Sequence, residues 1–214
     1  MTVVPALALG IALGVRHATD ADHVAAVSTI VTESRSATRA AFIGLWWGVG
    51  HSASVLLVGG VLVLLRLSMP TRFALSLEFL AALMLIVLGI RSLFRQRPTA
   101  TSGASTSLRP AAIGVIHGLA GSAVLALLIL SATDSVAAAA AYLVTFCFGT
   151  VIGMGLITAL LTVPARLGSV YFASFDRGMR VAAGLASLVV GLLLAHRVGV
   201  TNGLFAATTS WTPE

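Results

Sequence analysis

From Val136 to Val163 this chain places no charged side chain at all, and similar apolar runs recur along its length. A backbone in hydrocarbon must satisfy its own hydrogen bonds, so such runs can span a bilayer only as helices or as a closed barrel. The runs show none of the period-2 alternation of a membrane barrel, which leaves a helical bundle. Only 9% of the residues are charged and 58% are hydrophobic, far from the roughly 25% charged residues of a soluble domain. The chain therefore reads as an all-α integral membrane protein.

Six spans can be drawn: about 3–31, 40–65, 73–94, 111–130, 136–163 and 179–196. The Ser/Thr-rich segment 95–110 (RQRPTATSGASTSLRP) reads as a flexible loop, and residues 199–214 as a mobile tail. The net charge of +6 comes from arginine alone. Arg35, Arg39, Arg91, Arg95, Arg97, Arg109, Arg166, Arg177 and Arg180 fall at one set of span ends, against Arg66, Arg72 and Arg197 at the other. By the positive-inside rule both termini face outward and the loop at 95–110 is cytoplasmic. Arginines at span ends are topology and lipid contacts, so no nucleic-acid partner is expected. The single cysteine, Cys147, lies within an apolar run and reads as a small core residue.

Residues 14–17 (GVRH) match residues 114–117 (GVIH), and Ala26, Gly50 and Gly89 match Ala126, Gly149 and Gly191 at similar offsets. The halves 1–94 and 111–198 are thus expected to be three-helix repeats. Three being odd, they are inverted in the bilayer, and such repeats put a substrate site near the midplane at their interface. Gly149, Gly153 and Gly155 read as a close-packing face of span five, and Trp46 and Trp47 as bundle packing.

Within the first span stand His17, Asp20, Asp22 and His23, in the order His-Ala-Thr-Asp-Ala-Asp-His. One Asp at the centre of a spanning helix costs roughly 2.5–3.5 kcal/mol, so such a cluster points to a bound cation or proton. Imidazole with carboxylate suits a divalent transition metal better than Mg²⁺ or Ca²⁺. On an ideal helix His17, Asp20 and His23 form one stripe about 9 Å long, with Asp22 pointing elsewhere. Two imidazoles that far apart cannot share an ion, so the helix must break here or the chain must offer two successive sites. His51, within Gly-Val-Gly-His-Ser, and His117 are candidates to complete the site. Glu78, Ser52 and Thr150 are candidate pathway residues, while His196 and Asp134 sit at span ends and read as solvated.

The His-x4-Asp-His spacing of His17, Asp22 and His23 resembles the motif of the nickel/cobalt transporter (NiCoT/NicO) family. The stretch from Gly48 to Ser52 is similar to that family's second characteristic sequence, and the short six-span length resembles its UreH-like members. The resemblance implies Ni²⁺ or Co²⁺ uptake across the bacterial cytoplasmic membrane. It also implies essential roles for His17, Asp22 and His23, with Asp20 and His51 beside them. It carries no prosthetic group and no catalytic residue, and suggests delivery to urease or hydrogenase metal-insertion machinery. Rival readings are a proton-coupled carrier or exporter of another small ion and an integral-membrane metalloenzyme. The enzyme reading lacks an HExxH motif and has too few histidines for a histidine-box di-iron centre.

Overall fold

The computed structural model describes residues 3–31, 36–67, 69–94, 105–132, 135–171 and 175–209. Every regular element among them is helical: α1 (Val3–His17), α2 (Ala21–Val31), α3 (Ala37–Ser54), α4 (Gly60–Leu65), α5 (Thr71–Phe94), α6 (Ser105–Ala132), α7 (Val136–Tyr171) and α8 (Phe175–His196). Residues 55–59 form a π-helical turn that joins α3 to α4, and residues 197–201 form a second one after α8. Four stretches among the described residues are long and apolar enough to cross a membrane: Ala37–Leu65, Thr71–Phe94, Val136–Val163 and Phe175–Thr201. Their outward faces carry large apolar side chains such as Leu57, Phe148 and Leu193, and in water that much apolar surface would drive aggregation.

Packing is governed by small residues that let backbones touch. Helix α1 runs alongside α7 in the same direction, Gly10 facing Tyr142 and Thr145 and Gly14 facing Phe146 and Thr150. Antiparallel to α7 lies α3, with Gly44 against Met154 and Thr158 at one end and the Ser52 hydroxyl donating to the Cys147 carbonyl at the other (3.1 Å). The other flank of α3 packs on α6 through Gly50, Gly114 and Gly118. An antiparallel pair of α5 and α8 completes the bundle. Gly89, Gly184 and Gly191 line its seam, and the Ser187 hydroxyl donates to the Leu85 carbonyl at 2.9 Å. Trp47, Met154, Leu85 and Val27 fill the centre. Of the predicted close-packing face of α7, Gly149 meets Ile11 and Gly153 meets Val15 and Ala18 of α1, whereas Gly155 is turned to Leu45 of α3.

Several sequence-based boundaries are corrected. The first predicted span runs as two helices, the break allowed for at its polar cluster falling where residues 18–20 leave helical geometry between α1 and α2. The loop expected at 95–110 is helical from Ser105, with Pro110 inside α6; residues 95–104 and Asp134 lie outside the described residues. Pro110 is the sixth residue of α6, where its missing N–H costs one intrahelical bond near the helix start without ending the helix. The tail expected to be mobile is held as far as the described residues reach. Arg72 donates to the carbonyls of Ala206 and Ala207 (3.1 and 3.0 Å), and Phe205 packs edge-on against Phe79. Trp47 packs inside the bundle as expected, but Trp46 is turned outward.

Candidate metal centre

The break between α1 and α2 builds the site. It leaves His17 as the last residue of α1 and puts His23 in the first turn of α2, so their rings stand 4.4 Å apart between centroids. His51 comes in from α3, 5.3 Å from the His17 ring and 5.1 Å from His23, and His117 from α6 stacks on His23 at 4.3 Å. Four imidazoles from four helices thus meet at a point no unbroken helix could form. Gly114 and Gly118 permit this, since α6 packs directly on the α3 backbone at His51. The helix break allowed for by the sequence is therefore what the fold contains, and it gathers the four rings into one cluster holding two overlapping donor sets.

Three of the four rings are held by carboxylates. His23 Nδ1 donates to Asp22 Oδ1 (3.0 Å) and the His23 amide donates to the same oxygen (2.9 Å). On the other side of that carboxylate, His117 Nε2 donates to Asp22 Oδ2 (2.9 Å). His17 Nδ1 donates to Asp20 Oδ2 (2.7 Å). In each case the carboxylate fixes the tautomer and leaves the second ring nitrogen free, the arrangement that orients metal-ligating histidines.

Two of those second nitrogens are orphaned: among the described residues His23 Nε2 and His117 Nδ1, together with both nitrogens of His51, are buried without a hydrogen-bond partner. An unsatisfied buried polar group costs about 1–3 kcal/mol, so several at one spot are unaccountable as packing. Two sets of ligand atoms lie within 4.8 Å of one another: His17, His23 and His51, and Asp22, His23 and His117. Both sets contain His23. They surround a cavity of about 150 Å³ into which Glu78 of α5 also reaches, with Ala81, Ala120 and Gly121 as small walls. Ala120 is the residue that the second half carries at the position of Asp20.

Of the remaining sequence candidates, Asp20 does not line this cavity; its side chain is half exposed and, among the described residues, bonds His17. Ser52 and Thr150 are buried but do not line the cavity either: Ser52 bonds the Cys147 carbonyl across two helices, and Thr150 donates to the Phe146 carbonyl within α7 (2.8 Å). Sequence reasoning missed Trp47, whose ring lies 5.5 Å from His23 and 5.8 Å from His117, and Phe146, 5.3 Å from His17. Trp47 could have been found from its spacing, one helical turn before His51 on the same face.

The two carboxylates predict unequal variants. Asp22→Asn, which loses the charge shared by two rings, should weaken metal binding about 10–100-fold. Asp20→Asn should weaken it several-fold less, because Asp20 orients only His17 and lies outside the cavity. Metal titration of the two purified variants by calorimetry checks the order.

The helices are long and apolar enough for a multi-pass membrane protein, and the buried, carboxylate-oriented histidine cluster they carry could hold a metal ion. Comparison with known proteins gives the class its family. Residues 3–108 match the NicO family, described as a high-affinity nickel-transport protein. The urease accessory protein UreH of Bacillus sp. (strain TB-90) is 33% identical over 215 aligned residues, covering 93% of this chain and 94% of that one. The chain belongs to the NicO family and is a transport protein, not an enzyme. No solved structure matches it.

Proposed function

We propose that this protein carries Ni²⁺, with Co²⁺ as its nearest competitor, into the cell through the cavity between His17, Asp22, His23, His51 and His117. The observation that carries the reading is the convergence of unpartnered buried imidazole nitrogens on one small cavity. Nickel is favoured over hard cations because the donors are mostly nitrogen. His23 belongs to both donor sets, so an ion can pass from the His17, His23 and His51 group to the Asp22, His23 and His117 group without losing every ligand at once. Glu78 supplies charge where the ion sheds water, and Glu78→Gln is expected to slow uptake more than it weakens equilibrium binding.

The proposed architecture is six spans in two inverted three-helix repeats, with both termini outside and the arginine-rich end cytoplasmic. Packing supports it, because corresponding contacts recur with the halves exchanged. Gly14 meets Phe146 and Thr150 while Gly114 meets Trp47 and His51; Gly149 meets Ile11 while Gly50 meets Ala111. Likewise Gly89 meets Gly184 and Leu188, while Gly191 meets Ala82 and Ile86. Such an axis relates His17 to His117 and puts the site at the interface of the repeats. The similarity to a urease accessory protein suggests urease metal insertion as the destination of the ion.

The test is flux. Full-length protein reconstituted alone in liposomes around a nickel-sensitive dye should admit Ni²⁺, with competition by Co²⁺ and loss in a His17→Ala/His23→Ala double variant. Liposomes that stay dark, or uptake untouched by the double variant, would overturn the reading.

A further inference from the structure

A second and larger cavity, about 430 Å³, lies away from the histidines at the arginine-rich end of the bundle. Three guanidinium-bearing residues from three helices line it: Arg91 in the last turn of α5, Arg109 near the start of α6 and Arg180 near the start of α8. Among the described residues none of the three has a carboxylate partner. Three like charges around one cavity repel one another and call for an anion. Arginine's fork is matched to phosphate oxygens, which it can bind in pairs.

The rest of the wall decides what kind of anion. One turn inward from Arg91 stand Val87 and Leu88, and one turn inward from Arg109 stands Ile113, all lining the same cavity. Free phosphate or a nucleotide has no use for an apolar wall below its charge. A phospholipid does, because its phosphodiester carries acyl chains that continue toward the membrane interior. Val87 is half exposed and Arg91 and Arg109 are exposed, so the cavity opens to the outside of the bundle.

We infer that Arg91, Arg109 and Arg180 hold the phosphodiester of an anionic phospholipid, its acyl chains lying along Val87, Leu88 and Ile113. The bound lipid offsets the repulsion among the arginines and ties α5, α6 and α8 together where their ends meet. The inference stands apart from the metal reading, since the two cavities share no residue.

The experiment is thermal unfolding and lipid titration of the purified full-length protein. Phosphatidylglycerol and cardiolipin should raise the unfolding temperature, while phosphatidylcholine and inorganic phosphate at equal phosphorus should not. Each single Arg→Gln change should weaken the half-saturating phosphatidylglycerol concentration about fivefold, and the triple variant roughly a hundredfold. Should the triple variant not fold, the single variants and the lipid comparison on the unaltered protein decide the matter. Equal stabilisation by phosphatidylcholine would overturn the inference, as would stabilisation by inorganic phosphate or retention of phosphatidylglycerol in Arg180→Gln at full affinity.

Discussion

His23→Ala is expected to abolish tight nickel binding and transport while leaving the fold in place. His23 is the one residue present in both donor sets, it stacks on His117, and its free Nε2 is buried at the cavity wall. Removing a group that merely orients a ligand typically costs 10–100-fold, so removing the shared ligand itself should cost more than about 100-fold. Stability should fall less than in a typical core truncation, because the substitution also removes an unsatisfied buried nitrogen. Calorimetric nickel titration with a parallel unfolding curve separates the two effects. A His23→Ala protein that binds nickel within a few-fold of the original would refute the assignment of this residue.

The second large effect is expected in packing. A methyl group on Gly114 would run into the backbone carbonyl of Trp47 and the amide of His51, and the pseudo-equivalent Gly14 meets Phe146 and Thr150 in the same way. Backbone cannot rotate aside as a side chain can, so Gly114→Val must push α6 off α3 and pull His117 from the cluster. Overpacking of this kind costs about 3 kcal/mol or more, equivalent to roughly 10 °C in unfolding temperature for a chain of this size. Gly178, with open space around it in α8, is the control: Gly178→Ala should be neutral or stabilise by up to about 1 kcal/mol. Unfolding temperatures of the two variants test the difference, and a Gly114→Val protein as stable as Gly178→Ala would show that close approach is not what holds α3 and α6.

The four histidines and Asp22 were legible before any coordinates, because polar groups in apolar runs carry a cost that packing alone does not repay. The break in the first span was legible as one of two alternatives: imidazoles about 9 Å apart on an ideal helix cannot share an ion, so either the helix breaks or the chain offers two successive sites. Asp20 was harder. A helical wheel continued through residues 18–20 aligns it with His17 and His23, whereas the break turns it half out of the bundle and turns Asp22 in. Trp47 and Phe146 looked like ordinary packing because apolar side chains give no sign of which polar groups they will face. Ser52 and Thr150 looked like pathway residues because sequence records a hydroxyl but not the carbonyl it bonds. The start of α6 was hidden by Ser/Thr-rich composition, and the anchored tail by contacts of Arg72 and Phe79 with residues more than a hundred positions away.

X-ray absorption spectroscopy of the nickel-loaded, full-length protein probes the ion's ligands directly. The account predicts nitrogen and oxygen donors only, with the multiple-scattering pattern of at least two imidazoles that disappears in His17→Ala/His23→Ala. A spectrum of hydrated nickel with no imidazole pattern, or one dominated by sulfur from Cys147, would contradict it.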